Sequence, residues 1–511
     1  MEFLCYTFYR FVLKMMTAKQ TRKCLPLNKS YDILLIDWVF SSVGRASPLQ
    51  GESRGFKSLN THHPLVFLIV FVLLFLGPVS FSSPISIGEL SPLEDLKNLP
   101  QDATLYLQGS CSLLSHSAQR EIDKTFNEQF FKPWSHPLIS KEVASWGIKA
   151  FNQNLGFGEN KQRHSPAWMD ALVQLAQLTT YPNIQRKAIS VNNTSLRILP
   201  THQPHFNHFS LAGEGYPFDN LQQSVLWANI PLFVSHLSKD QAWAFVETPI
   251  ASGWVQTQDI AFVDESFITA WKTGKYVALI KDRTAIFDDE QVFRFKTHIG
   301  ALFPLLHEEE HQYQILIAMA NEQRQAHLRK AHLSKEVATL KPWKLSLSHL
   351  AILINEMLAQ PYGWGGLYEN RDCSSTMKDL FTPFGLWLPR NSANQAHSVG
   401  QFMDLEPFNP SDKESFIIQK GVPALTLLWL EGHIMLYLGT HRHQAIAFHN
   451  TWGLKTRDAH GQEGREIIGQ AVITTLQPGK ELPQLDLQKG NLLNNILGMT
   501  LLFPQGRKSC P

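Results

Sequence analysis

At 511 residues the chain is too long for a single hydrophobic core, and about three or four domains are expected. A hydrophobic fraction of 44% beside 18% charged residues excludes a disordered chain. The formal net charge of +2 excludes a dedicated nucleic-acid binder, which needs a concentrated basic surface. The five cysteines, Cys5, Cys24, Cys111, Cys373 and Cys510, have no zinc-finger spacing and cannot form a dense disulfide framework. Cys111 and Cys510 could pair in an oxidising compartment or remain free.

The first readable element is the apolar run Leu65 to Leu76. Its twelve residues fall short of the roughly 20 that span a bilayer and fit the core of a secretory signal. Gly77 and Pro78 break the run, and Ser80-Phe-Ser82 supplies small residues for cleavage, so residues 61–83 read as a signal peptide. No cysteine follows that would take a lipid anchor. The expectation is export to the periplasm or cell envelope of a bacterium, with no stable membrane span after cleavage. Residues 1–60 sit awkwardly ahead of a signal. Ser42 to Lys57 resembles the conceptual translation of a transfer-RNA gene, so the first 58 or so residues are expected not to be part of the protein as made.

Residues 89–183 carry helical patterning with Ser-Pro and Asn-Pro punctuation, and read as a packing domain. From 184 the texture changes to short strands. Ala188–Val191, Leu196–Leu199, Pro231–Val234, Trp243–Val246 and Gly253–Val255 are apolar or β-branched pieces between turn residues. They resemble a bacterial SH3-like barrel over 184–263, and a second, fainter one follows over 264–343. The long acidic and aromatic loop Gly213–Asn220 of the first barrel places Glu214, Tyr216 and Asp219 where a substrate amine could meet them.

His307-Glu-Glu-Glu-His311 fits the H-E-x-x-H zinc pattern, but that chemistry needs both histidines on one helical face. Pro304 before it and the alternating Tyr313–Met319 after it predict a strand and an exposed turn, so no metal site is expected.

The last domain, 344–511, opens with a helix whose Leu350, Leu353, Ile354 and Met357 repeat at helical spacing behind a Ser346 or Ser348 cap. Pro361-Tyr-Gly-Trp-Gly-Gly366 and Arg371-Asp-Cys-Ser-Ser375 follow. Met377, Leu380, Phe381 and Phe384 then mark a second helix, which puts Cys373 in its first turn. There the unpaired N–H groups and the helix dipole favour a thiolate and could hold an oxyanion. Downstream, Ala424–Leu430, Gly432–Gly439 and Ala445–His449 read as three adjacent strands. His433 starts the second and His449 ends the third, so nucleophile, base and orienting group could converge as in papain. His441 and His443, in the turn between these strands, are rival bases at the wrong end.

Tyr362-Gly-Trp-Gly-Gly, Asp372-Cys-Ser, Gly432-His-Ile and His449-Asn-Thr-Trp-Gly453, in this order, resemble the signature blocks of the NlpC-type cell-wall peptidase family. The resemblance implies an α+β chain: a helical domain, two SH3-like barrels and a C-terminal papain-like cysteine peptidase. It also implies hydrolysis of the γ-D-glutamyl–diamino acid bond in murein stem peptides through a thioester. By matched position Cys373 is nucleophile, His433 base and His449 the third polar residue. Tyr362, Asp372 and Ser374 flank the cleft, and Arg371, Glu214 and Asp219 are further candidates for substrate contact. Ser375 departs from the family's usual glycine. No cofactor is implied; the partners are peptidoglycan stem peptides or murein fragments, taken by a monomer. The alternatives are a non-catalytic wall-binding protein, or an amidase of the same fold.

Overall fold

The computed structural model describes residues 93–503. The expectations for 1–60, for the signal at 61–83 and for Cys510 lie outside them. Cys111 is disulfide-bonded, and Cys373 is free. No described helix is long and apolar enough to cross a membrane.

The chain enters through helices α1 (Glu94–Asn98), α2 (His116–Phe130), α3 (Lys141–Asn152) and α4 (Pro166–Ala176). Ser115, Ser140 and Ser165 each accept a backbone N–H at the start of α2, α3 and α4, satisfying groups a helix end leaves orphaned. Phe126 and Phe130 of α2 pack with Trp134, Trp271 and Tyr276 of later segments, so the helical part is built onto its neighbours.

The first β unit comprises β1 (Arg186–Ser190), β2 (Thr194–Arg197), β3 (Gln222–Leu226), β4 (Pro231–Leu237), β5 (Trp243–Glu247), β6 (Ser252–Gln256) and β7 (Ile260–Phe262). They form one sheet in the order β3-β2-β6-β5-β4-β1-β7. Pro231–Val234, Trp243–Val246 and Gly253–Val255 fall wholly within its strands, while Ala188–Val191 overruns β1 by one residue and Leu196–Leu199 overruns β2 by two. The second unit begins with a helix, α5 (Glu265–Trp271), at the start of the 264–343 stretch read as a barrel. Asp264 caps it, and Phe267, Ile268 and Trp271 bury one face at helical spacing. There follow β8 (Tyr276–Leu279), β9 (Thr284–Phe287), β10 (Phe293–Thr297), β11 (Leu302–Glu308), β12 (Gln312–Ala320), β13 (Ala326–Ser334) and β14 (Ala338–Lys341). His307 lies near the end of β11 and His311 in the turn before β12, so the two share no helix face.

The C-terminal domain sets α6 (Leu347–Met357) and α7 (Cys373–Phe381) against a sheet of β15 (Gln401–Asp404), β16 (Thr426–Leu430), β17 (His433–His441), β18 (Gln444–Arg457), β19 (Glu463–Thr475) and β20 (Gly498–Leu501). The order is β15-β20-β16-β17-β18-β19. Strand alternation divides its side chains between two cores. Ile434, Leu436, Ile446 and Phe448 join Met377, Leu380 and Phe381 of α7, while Met435, Tyr437, Ala445 and Ala447 join Leu405 and Ile417 on the other side. This double burial fixes α7 against the sheet, with its N-terminus at the end of the sheet where β17 begins.

Candidate active site

Asp372 is the N-cap of α7. Its Oδ1 accepts the Ser375 N–H at 2.8 Å, while Ser375 Oγ accepts the Asp372 N–H at 2.9 Å. This reciprocal capping box leaves Cys373 as the first helical residue. The serine that departs from the family's glycine is therefore a capping residue. Asp372 Oδ2 also takes Arg390 Nη2 at 2.6 Å, and Arg390 reaches on to Ser374 Oγ at 2.9 Å and to Ser224 Oγ of β3 at 2.8 Å.

Cys373 Sγ lies 3.9 Å from the carbonyl oxygen of Gly432, and the N–H groups of Ile434 and Ser374 also point toward it. The sulfur thus meets the backbone on both sides of His433. Burial pushes the Cys373 thiol up to about 12, with Asp372 adding to the rise against those N–H groups and Arg390. Burial likewise holds His433 down at about 4. Here the structure corrects the expectation of a thiolate poised by the helix dipole. Desolvation outweighs the dipole, and the resting pair is thiol and neutral imidazole.

His433 Nε2 and His449 Nδ1 are 2.8 Å apart, and His449 Nε2 is 3.0 Å from Thr474 Oγ1. The Thr474 hydroxyl donates to the Thr475 carbonyl at 2.7 Å. A hydroxyl has one proton, so Thr474 accepts from His449 Nε2–H. His449 Nδ1 must then accept from His433 Nε2–H, which leaves His433 Nδ1 unprotonated as a base. Burial and His433 keep His449 neutral, well below its ordinary range.

Aromatic rings wall the approach. Tyr362 and Phe218 both lie against Trp452, and Phe218 stands edge-on to Trp364 at 5.2 Å. Tyr216 of the first β unit reaches the same Trp452 and also lines a neighbouring groove of about 680 Å³. Burial raises the Tyr362 phenol well above its usual range, with Cys373 and Asp372 adding to it.

Cys373, His433, His449 and Tyr362 are therefore brought together, while four candidate contacts are corrected. Arg371 is only 4% exposed, and its guanidinium is taken up by Asp282 at 2.7 Å and Asp379 at 2.7 Å. It cannot offer itself to a stem carboxylate. Asp219 is paired with Arg197 at 2.5 Å and caps the N–H groups of His205 and Leu221, so it meets no substrate amine. The Asp372 carboxylate is occupied by the helix cap and Arg390, and Ser374 is buried between the same two partners. Glu214 is half-buried in a loop whose Gly213 runs close to Arg465. His441 ends β17, eight residues and about 26 Å of strand from His433, and His443 lies in the turn beyond it.

Sequence reasoning missed Arg390, Arg465 and Thr474. For Thr474 a signal existed: two threonines close an otherwise apolar run, Ala471–Ile473. For the arginines there was none, because what makes them matter is contact with residues distant in the chain.

Family models match four stretches of the sequence: an NLPC_P60 N-terminal stabilising domain at 66–181, an SH3 domain of SH3b1 type at 204–256, an SH3 domain of SH3b2 type at 264–310 and the NlpC/P60 family at 359–468. Among solved structures, an NlpC/P60 endopeptidase from Photobacterium damselae subsp. piscicida superimposes with a TM-score of 0.72 at 28% identity, over 79% of this chain and 97% of that one. An NlpC/P60 family protein from Bacillus cereus is matched at 15% identity and a TM-score of 0.41, over 62% of this chain and 100% of that one. No curated protein shows significant similarity to the chain.

Proposed function

Because this chain belongs to the NlpC/P60 family and carries that family's stabilising domain and two SH3 domains ahead of a cysteine-peptidase fold, we propose that it hydrolyses the γ-D-glutamyl–diamino acid bond of murein stem peptides. The observation that carries the reading is a cysteine at a capped helix N-terminus whose sulfur abuts the first residues of the strand that begins with His433. Cys373 Sγ attacks the glutamyl γ-carbonyl carbon as its proton passes to His433 Nδ1. The resulting oxyanion is held by N–H groups of the first turn of α7. His433 returns the proton to the departing amine, leaving a thioester. Water, deprotonated by the same nitrogen, releases the acid and restores the thiol. His449 holds His433 in the tautomer that keeps Nδ1 free, and Thr474 holds His449. Tyr362, and Glu214 in the first SH3 domain, border the bound peptide. We further propose that the protein acts as a monomer in the bacterial envelope, exported by the 61–83 signal.

The test is digestion of purified stem peptide with mass analysis of the fragments. Cys373→Ala is expected to lose about four or more orders of magnitude of kcat, the usual cost of removing a nucleophile from a triad. Retained turnover would refute the mechanism. The neutral resting pair also fixes the pH profile: kcat/KM falls on the acid side as His433 gains a proton near 4 and stays level through neutrality. An alkaline-rising profile centred on an ordinary thiol would contradict it.

A further inference from the structure

Arg465, on β19, is a cation without an anion. Among the described residues it makes no ion pair. Its Nη1 reaches the Gly453 carbonyl at 3.3 Å, its guanidinium lies 5.5 Å from the Phe218 ring centre, and its Nε is buried with no hydrogen-bond partner. The acid two residues before it on the same face of the strand, Glu463, is already held by Lys455 at 2.5 Å and Arg457 at 3.2 Å. A half-buried guanidinium without a close counter-charge is costly, and its planar fork suits a carboxylate.

Its location gives that fork a purpose. Arg465 and Cys373 both lie close enough to Tyr362 for the phenol to feel their charge. Phe218 and Trp452 complete the wall, and the Gly213 backbone of the first SH3 domain passes beside the guanidinium. An extended substrate lying over Tyr362 would place an attacked carbonyl at the sulfur and a neighbouring group at the arginine.

We infer that Arg465 is the subsite for a free carboxylate of the substrate peptide, so that the enzyme selects acid stem peptides over their amidated counterparts. This rests on the peptidase reading and extends it. A γ-linked glutamyl residue leaves its α-carboxylate free, and a diamino acid can carry another, so the substrate class supplies candidate anions on either side of the scissile bond. Burial weakens the hold of Arg465 on its proton, and an incoming carboxylate would reverse that effect.

The experiment uses synthetic stem peptides in which each carboxylate is separately free or amidated, cleaved by the wild type, Arg465→Gln and Arg465→Lys. The wild type is expected to favour one acid over its amide by roughly tenfold to a hundredfold in kcat/KM, the size of one charge-assisted hydrogen bond. Arg465→Gln should lose that preference, dropping on the acid to the level of the amide while cleaving the amide as the wild type does. Arg465→Lys should keep part of it. An unchanged preference in Arg465→Gln, or a wild type indifferent to amidation at every position, overturns the assignment and leaves the peptidase reading standing. So does equal loss on acid and amide in both variants. A wild type that cleaves no stem peptide at all refutes the parent reading, and this one with it.

Discussion

The first SH3 domain meets the peptidase domain along a surface of backbone and mostly neutral side chains, whereas the second reaches it through buried charge. Gly365 and Gly366, both at positive φ, let β3 lie directly on the Gly-Trp-Gly-Gly turn. A Cβ at either would fall about 2.4 or 2.5 Å from the backbone of Gln222 or Val225. Gln222 Nε2 donates to the Gly365 carbonyl at 2.9 Å, and Trp364 Nε1 to the Asp219 carbonyl at 3.1 Å. Behind the site, Asp282 of the second domain holds Arg371 through two bonds of 2.7 and 2.8 Å and also accepts from Ile299 N and Gln360 Nε2. Two copies of one fold thus serve differently: the first shapes the open side of the cleft, and the second braces the residue next to the nucleophile from within.

Breaking the brace should have the larger effect. Asp282→Ala leaves the buried Arg371 with Asp379 as its one remaining carboxylate and is expected to cost about 3 kcal/mol, read as a fall in the denaturant midpoint, with loss of activity following the loss of fold. Burial alone would raise the Asp282 carboxyl, but Arg371 and His298 hold it far below its usual range. Its stabilisation is therefore present above the ordinary carboxylate range and fades only as pH falls through the depressed value.

An intermediate effect is expected at His298, which stacks on Trp227 at 4.3 Å and contacts Glu369 at 3.2 Å. Burial pulls this imidazole down, yet Asp282 and Glu369 keep it above its ordinary 6.5. A raised histidine stabilises the fold at low pH and loses that contribution as pH rises through its folded value. The stability gap between wild type and His298→Gln should then be widest below pH 6.5 and narrow above it, measured by urea unfolding across pH. A gap independent of pH would show that only the ring's packing matters.

The smallest effect belongs to the first domain. Ser224→Ala removes one hydrogen bond from Arg390, which keeps Asp372 and Ser374, and should cost about 1 kcal/mol. A cost as large as that of Asp282→Ala would erase the distinction between brace and wall.

What the sequence disclosed follows the range of the interactions involved. Cys373, His433 and His449 were legible because each sits in a short local block, and the α7 stripe of Met377, Leu380 and Phe381 shows its periodicity within three turns. Arg371 and Asp219 were read as substrate contacts because a charge beside a nucleophile or in a loop gives no hint of a partner. Those partners are Asp282, 89 residues away, and Arg197, 22 residues away. The acidity of Cys373 was misjudged for a related reason. The helix end that favours thiolate is local and visible, while the desolvation that opposes it comes from packing.

That packing has a chemical consequence. Peroxides and electrophilic labels react with sulfur anions far faster than with protonated thiols. Under the mechanism proposed above, a buried sulfur that gives up its proton during attack on a bound carbonyl leaves such reagents little to consume. Fast oxidation or alkylation is then a poor gauge of whether this enzyme is alive, and endurance in an oxidising environment comes from the same burial that delays the ionisation.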